Sequence, residues 1–396
     1  MSRVKMIISI IFVLVILVSF SNSSIAQSGP YKKNYTESIS NFFDAARSGN
    51  IESLELQIDK GIDVNAKDDY ETTALMFATM NGHIEIVKLL LDNGADINAQ
   101  DIDGFSALMH AILNNHFDIA KMLIANNANI DEKNNNCNTA LILSVAKNHI
   151  ELVQLLIDRG ANLNIKNNAG NTALINAAAN GFHQIVQILL KNGADFNLKN
   201  NNGNTALLLA SGKDNIMIVK DLMAYGAFID AKDKNNNTPL INALTRGKIA
   251  IAELLINEGA NINAKNNEGK TAIMYAVMNG SSYFIDLLLS KGANINDKDN
   301  EGNTLLMTAI IYGKVDIVEF LLEKVSDINA KNNEGFTALM YVAMYGNTET
   351  IRKLLAADAD LSLKNNRGFS ALELAMLRNN KRVVKELRME GMNNKK

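Results

Sequence analysis

The segment 81–101, NGHIEIVKLLLDNGADINAQD, decides the fold. Apolar residues recur through IEIVKLLL at the spacing of a helix with one buried face. An Asn-Gly pair stands before this helix and another stands after it, and both residue types readily adopt the positive φ that ends a helix. The segment therefore predicts a helix between two turns, with an apolar face that another element must cover.

A second, shorter helix is predicted just upstream of this segment. Thr73 is an N-cap candidate, because its hydroxyl can accept a hydrogen bond from a free backbone N–H of the first turn. Ala74, Leu75 and Ala78 then place small and apolar side chains on one face. One such helix pair cannot bury its own apolar faces, so neighbouring pairs must stack on one another.

The helix pair returns along the chain with a period of 33 residues. The Thr-Ala-Leu-like triplets begin at Thr73, Ser106, Thr139, Thr172, Thr205, Thr238, Thr271, Thr304, Thr337 and Ser370. The ending Gly-Ala-Asp/Asn-apolar-Asn keeps the same period. A fixed period of this length without insertions indicates an array of structural repeats.

The period, the Thr-Ala/Pro-Leu helix start and the Gly-Ala-Asp-Ile-Asn ending resemble the ankyrin-repeat family over about residues 38–392. The resemblance implies an all-α solenoid of about 11 stacked helix pairs, with β-hairpin or turn fingers between them. A divergent first unit at 40–66 and a polar last unit at 366–392 are expected to cap the array. In the first unit, Phe42, Phe43 and Leu54 are expected to face inward.

The chain departs from the family at two positions of the repeat. The family's Thr-Pro-Leu-His ends in an apolar residue here, as at Met76 and Ile142, which favours packing over hydrogen bonding between turns. The turn glycine is lost at Glu71, Cys137 and Asn236. Asn adopts a positive φ easily, whereas Glu and Cys do so at a cost.

Residues 1–26 resemble an export signal. Two basic residues precede an apolar run at 6–20, and Ser24 and Ala26 fit the small-x-small pattern before a cleavage point. We expect a periplasmic or secreted protein, and a bias toward Asn, Ile and Lys suggests a bacterial source. The alternative is an uncleaved segment that anchors the chain to a membrane.

The rest of the chain is predicted to contain one domain. Residues 27–39 form a polar linker, the repeat domain spans 40–392, and 393–396 form a short tail. Cys137 is the only cysteine, which excludes an intramolecular disulfide and a multi-thiolate metal site. The net charge of −3 does not indicate a surface that binds nucleic acid.

The histidines give no indication of catalysis or metal binding. His83, His116 and His149 occupy one repeat position, which is structural in the resembled family. Stacked helices lie about 8–10 Å apart, too far for ligands on adjacent units to share a zinc ion. His110 and His183 have no acid, thiol or hydroxyl partner recurring near them. We therefore predict no enzymatic activity, cofactor, metal or small-molecule substrate.

In the resembled family the variable contact surface is a concave face built from finger tips and the ends of the first helices. Carried over by position, it includes an aromatic and methionine-containing stretch and, further upstream, three basic residues. The first group is Met278, Ile311, Tyr312, Phe336, Met344, Tyr345 and Phe369, and the basic group is Lys147, Lys213 and Arg246. Aromatic and Met side chains on adjacent units are expected to merge into one exposed patch.

Tyr275 and Tyr341 lie one helical turn earlier, and packing between units is the alternative role for all these aromatic residues. The prediction is a monomeric, non-enzymatic protein–protein interaction module. Two alternative uses remain open: a secreted effector or toxin directed at a host, and an envelope scaffold that protects an exported enzyme.

Overall fold

The computed structural model describes residues 37–325 and 327–393, and the side chains of 37–325 and 327–389. The predicted export signal at 1–26, most of the predicted linker and most of the predicted tail lie outside these residues. The described residues form 22 helices and no sheet.

The helices fall into pairs, which we number as repeats 1 to 11 in chain order. The first helices are Glu37–Ser48, Ala74–Asn81, Ala107–Leu113, Ala140–Ala146, Ala173–Asn180, Ala206–Ser211, Pro239–Thr245, Ala272–Asn279, Leu305–Ile311, Ala338–Tyr345 and Ala371–Leu377. The second helices are Ile51–Asp59, Ile84–Asp92, Phe117–Ala125, Ile150–Asp158, His183–Lys191, Ile216–Ala224, Ile249–Asn257, Ser282–Ser290, Val315–Leu322, Thr348–Ala356 and Lys381–Asn393. We call the turn that precedes each first helix the finger of that repeat.

The repeats divide into two compact bodies. The N-terminal body ends at Asn129 and contains repeats 1 to 3, and the C-terminal body begins at Ile130 and contains repeats 4 to 11. Within each body the first helices of successive repeats contact one another, and so do most of the second helices. The stacked all-α architecture predicted from the repeat is confirmed.

Each first helix from repeat 2 onward begins after a predicted N-cap residue. Thr73 Oγ1 accepts a hydrogen bond from the Met76 N–H at 3.3 Å, and Thr304 Oγ1 accepts one from the Met307 N–H at 3.3 Å. Thr271 is the exception, because its buried hydroxyl has no hydrogen-bond partner among the described residues. The caps therefore fix the start of nearly every first helix within the 33-residue period.

The core is the apolar stripe that the periodicity predicts. In repeat 5, Leu174 of the first helix and Ile185 and Leu189 of the second are completely buried. Burying such a side chain contributes about 1.5–3 kcal/mol relative to leaving it exposed. Phe42 and Phe43 are buried in repeat 1, as the first unit's sequence predicts.

Asparagines connect neighbouring repeats by hydrogen bonds to the backbone. The side-chain oxygen of Asn65, in the Asp-Val-Asn ending of repeat 1, accepts a hydrogen bond from the Asp96 N–H at 2.7 Å. Asn164 does the same for the Asp195 N–H at 2.9 Å. The family's His position is meanwhile filled by buried apolar side chains such as Met76. Packing and asparagine bonds thus take the place of a histidine network.

The fingers are turns, and only three isolated bridges join finger arms among the described residues. A buried or half-buried Asn or Asp anchors each finger of the C-terminal body. In repeat 10, Asn332 Oδ1 accepts hydrogen bonds from the N–H groups of Glu334 and Phe336 at 3.1 and 2.9 Å. Asn332 Nδ2 donates to Asn303 Oδ1 at 2.9 Å, which ties this finger to the preceding one.

The three fingers without glycine keep the positive φ that glycine would supply. Glu71, Cys137 and Asn236 have φ values of 59°, 56° and 58°. The finger is also crowded at this position: a Cβ added to the equivalent Gly170 would lie 2.6 Å from the Asn201 backbone nitrogen. The positive φ therefore strains the backbone at Glu71 and Cys137, whereas Asn236 adopts it readily.

Candidate partner-binding surface

All ten predicted contact residues lie in the C-terminal body, on fingers or at the ends of first helices. Tyr312 and Tyr345 are 46% and 57% exposed, and Phe369 is 36% exposed. The remaining apolar members are half-buried: Met278, Ile311, Phe336 and Met344. We call the seven apolar and aromatic members together the aromatic surface.

A groove of about 420 Å³ lies between repeats 9 and 10, and Tyr312 and Tyr345 both line it. These tyrosines occupy the same repeat position in successive repeats. The other lining residues are Ile310, Ile311, Gly313, Lys314, Val315, Val318, Val342, Asn347 and Thr350. The groove is therefore mainly apolar, with Lys314 as its one charged lining residue.

Three aromatic rings continue from the groove toward the finger of repeat 10. The rings of Tyr341 and Tyr345 are stacked, with centroids 6.4 Å apart and an interplanar angle of 13°. The Phe336 ring lies 5.3 Å from Tyr341 on the finger side. Offset ring contacts of this kind hold aromatic side chains in defined positions.

The Tyr341 hydroxyl is held between two repeats. It accepts a hydrogen bond from Asn332 Nδ2 at 3.0 Å and donates one to Asn303 Oδ1 at 3.3 Å. Burial raises the pKa of Tyr341, and the carboxylates of Glu301 and Glu334 raise it further. Tyr341 thus packs between repeats, as the alternative from the sequence proposes, while its ring also extends the aromatic surface.

Repeat 8 carries a similar tyrosine with a lysine beside it. The Tyr275 hydroxyl accepts a hydrogen bond from Asn266 Nδ2 at 2.9 Å. Burial raises the pKa of Tyr275, and the charge of Glu268 adds to the shift. Lys270 Nζ lies 2.6 Å from Glu268 Oε2. Sequence reasoning missed Lys270, although it stands out among the Asn residues that fill its repeat position in most other repeats.

The three basic residues form a separate group on the C-terminal body. Lys147, Lys213 and Arg246 are exposed just after the first helices of repeats 4, 6 and 7. None of them lines the groove. Repeat 5 has Asn180 at the same position, so the basic character is interrupted.

A second depression, of about 500 Å³, lies beside the turn after repeat 6. Phe228 is 66% exposed there, between Lys199 and Lys232. Its backbone N–H donates to Asn197 Oδ1 at 3.0 Å. Sequence reasoning missed this residue, although an aromatic side chain in the Asp/Asn position of the Gly-Ala-Asp ending was visible in the sequence.

The histidines make structural contacts. His83 Nε2 lies 3.0 Å from the Arg47 carbonyl oxygen, which belongs to the preceding repeat. His110 Nε2 lies 2.8 Å from Asp101 Oδ2, and His183 Nε2 lies 2.7 Å from Asp221 Oδ2. The sequence shows no acidic partner that recurs near His110 or His183. Each of them does pair with one aspartate, and neither pairing recurs in the other repeats.

Neither a metal site nor a membrane-spanning helix is indicated in the described part of the chain. No group of three or more His, Cys, Asp or Glu side chains in it is placed to hold a metal ion. None of its helices is both long and apolar enough to cross a membrane.

The family model for ankyrin repeats in three copies matches residues 42–134, 126–200, 177–266, 258–332 and 325–396. The chain therefore belongs to the ankyrin-repeat family. Members of this family are generally protein–protein interaction modules and are typically non-enzymatic. No curated protein compared with the chain matches it.

Proposed function

We propose that this protein is a non-enzymatic module that binds another protein through the aromatic surface of its C-terminal body. The observation that carries the proposal is the apolar groove between repeats 9 and 10, lined by the exposed rings of Tyr312 and Tyr345. Tyrosines beside a groove are typical anchors of protein interfaces, where a few such residues supply most of the binding energy.

The surface is preorganised for binding. Tyr341 is held by hydrogen bonds to Asn332 and Asn303, and its ring stacks on Tyr345. A partner would therefore meet rings already in place, and little conformational entropy would be lost on this side of the interface. A monomer is the simplest state in which this surface stays open to a different protein.

The test begins with a photo-crosslink. Tyr345→p-benzoylphenylalanine, introduced in the native host, should trap the partner, which mass spectrometry identifies. The purified partner is then titrated calorimetrically against the wild type and the Tyr312→Ala/Tyr345→Ala variant. We expect Kd to rise at least about 100-fold, since anchor residues each contribute about 2 kcal/mol or more.

The matched control is Tyr225→Ala. Tyr225 is 48% exposed at the end of the second helix of repeat 6, away from the groove. The control should bind the partner as the wild type does. An unchanged Kd in the double variant, at an unchanged melting temperature, would exclude the aromatic surface as the binding site.

We also propose that the protein is exported, to the periplasm or the medium, as the apolar run at 6–20 and the small residues Ser24 and Ala26 suggest. N-terminal sequencing of the protein from its host should then start at Gln27. A retained segment 1–26 in the membrane fraction would favour the anchored alternative. Recovery from the medium would favour an effector, and recovery from the envelope a scaffold.

A further inference from the structure

Repeat 8 contains a lysine, Lys270, whose ammonium group pairs with a glutamate beside the aromatic surface. Lys270 Nζ lies 2.6 Å from Glu268 Oε2, and the Lys270 side chain is only 19% exposed. Burial works to lower the pKa of Lys270, but the hydrogen bond and charge of Glu268, with Tyr312 and Tyr275, leave it raised. In repeat 8, a glutamate carboxylate near two tyrosines thus stabilises a partly buried lysine ammonium group.

Repeat 10 has the same carboxylate and tyrosine without the lysine. Glu334 and Tyr341 stand two 33-residue periods after Glu268 and Tyr275, and Phe336 occupies the position equivalent to Lys270. Among the described residues, the Glu334 carboxylate makes no ion pair and no side-chain hydrogen bond. The cation that balances the acid in repeat 8 is therefore missing in repeat 10.

A second carboxylate adds to the charge near Tyr341. Glu301 is exposed at the same finger position in repeat 9, and among the described residues its carboxylate accepts a hydrogen bond only from the neutral Asn303 amide, at 3.0 Å. Asn303 links Glu301 to Tyr341, because its amide nitrogen donates to Glu301 and its amide oxygen accepts from the Tyr341 hydroxyl at 3.3 Å. Burial and the charges of both Glu301 and Glu334 raise the pKa of Tyr341. Two carboxylates and a tyrosine ring attract a cation more strongly than either feature alone.

The neighbouring lysines are engaged elsewhere. Lys298 Nζ donates to the Lys331 carbonyl oxygen at 3.0 Å, and Lys331 Nζ donates to the Lys364 carbonyl oxygen at 2.8 Å. In repeat 11 the equivalent of Glu334 is Arg367, which ends the acidic run. The acidic character is therefore confined to the fingers beside the aromatic rings.

We propose that the aromatic surface recognises a basic segment of a protein, in which a lysine or arginine lies beside Tyr341, between Glu301 and Glu334, while an adjacent apolar side chain enters the groove. This inference rests on the proposed function and names the chemistry of its partner. Charge complementarity selects a basic segment, and the apolar groove lined by Tyr312 and Tyr345 selects an apolar neighbour for the basic residue.

The probes are two fluorescein-labelled hexapeptide amides, one alternating leucine with lysine and one alternating leucine with glutamate. Fluorescence anisotropy should show at least tenfold tighter binding of the basic peptide to the full chain. Glu301→Gln/Glu334→Gln should weaken that binding at least tenfold, while Glu258→Gln, just after the second helix of repeat 7, should leave it unchanged. Equal binding of both peptides, or no effect of the double variant, would overturn the inference.

Substitutions of Phe336 test directly whether a cation beside Glu334 competes with the basic peptide. Phe336→Lys should place the chain's own ammonium beside Glu334, as Lys270 lies beside Glu268, and so weaken basic-peptide binding at least tenfold. Phe336→Gln removes the ring without adding a charge and should weaken it less than threefold. Equal effects of the two variants would show that the ring alone matters and would contradict the role of the carboxylates. Melting temperatures of both variants confirm that they fold.

The crosslinked partner separates this inference from the proposed function. If Tyr312→Ala/Tyr345→Ala loses the partner while Glu301→Gln/Glu334→Gln keeps wild-type affinity, the interaction surface stands and the basic segment is wrong. If both variants lose the partner, both proposals are supported. If neither variant loses it, both proposals fail.

Discussion

Repeats 4 to 7 and repeats 8 to 10 of the C-terminal body share one backbone plan but present different side chains. In repeats 5 and 7, the positions equivalent to Tyr341 hold Asn176 and Asn242, and the Asn242 amide donates to the Leu208 carbonyl oxygen at 2.7 Å. In repeats 8 and 10 the same position holds tyrosines. Stacking therefore depends on caps, core and finger anchors, while the proposed recognition depends on positions whose side chains vary between repeats.

Removing the finger anchors of the two regions should lower the free energy of unfolding more than any other change considered below. Asn332→Ala should lower the free energy of unfolding by about 3 kcal/mol, because it removes the hydrogen bonds of Asn332 to two finger N–H groups, to Asn303 and to the Tyr341 hydroxyl. Asn200→Ala removes the equivalent anchor of repeat 6, which bonds Asn202, Asn204 and Asn171 but no tyrosine. Its cost should be about 2 kcal/mol. Urea unfolding measures both, and equal costs would show that Tyr341 draws no stability from its anchor.

The next effect concerns the fingers that lack glycine, two of which lie in the middle repeats. Cys137→Gly should raise the free energy of unfolding by about 1 kcal/mol, because it relieves the positive φ at this position. Gly335→Ala, in repeat 10, imposes the reverse change and should destabilise by at least about 1 kcal/mol. Thermal unfolding followed by circular dichroism measures both. A destabilised Cys137→Gly variant would contradict the strain.

A smaller difference should separate two N-caps of the aromatic region. Thr304→Val removes a hydrogen bond to the Met307 N–H and should cost about 1 kcal/mol. Thr271→Val replaces a buried hydroxyl that lacks a partner among the described residues, and it should be neutral or stabilising by up to about 1 kcal/mol. Urea midpoints compare the two variants directly, and a cost for Thr271→Val as large as that for Thr304→Val would contradict the missing cap bond.

The smallest expected effect is a pH dependence of the stability that the Tyr341 hydroxyl contributes. Its pKa is raised in the folded protein, so the folded state holds the phenolic proton more tightly than the unfolded state. The stability that this hydroxyl contributes is present below its unfolded pKa of about 10 and is lost as pH rises through the folded pKa. The stability difference between the wild type and Tyr341→Phe should therefore shrink above pH about 10. A difference that stays constant across that range would exclude the shift.

Much of the fold was predictable because it depends on local patterns. The N-cap threonines, the turn glycines and the apolar stripes each act within one repeat, and their period places all 11 helix pairs. The strained finger at Cys137 was visible for the same reason, since it breaks a position otherwise filled by Gly or Asn in the C-terminal body.

The candidate surface was only partly predictable, because its contacts join different repeats. The positions of Tyr312 and Tyr345 follow from the period, but the groove between them depends on how two repeats pack. The bond from Tyr341 to Asn303 joins residues 38 positions apart, and so does the pair of His183 and Asp221. Pairings of this kind do not recur with the period, and a pattern search along one chain does not reveal them.

The lysine bonds between fingers suggest that a whole repeat of the C-terminal body can be removed without loss of the contact between its neighbours. Lys166 Nζ donates to the Lys199 carbonyl oxygen at 2.8 Å, and Lys199 Nζ donates to the Lys232 carbonyl oxygen at 2.8 Å, so these successive fingers are joined by the same groups. Excising residues 166–198 would bring Lys199 into the place of Lys166 and keep its bond to the Lys232 carbonyl oxygen. The spacing between Lys147 and Tyr312 would then shorten by one helix-pair width, about 10 Å.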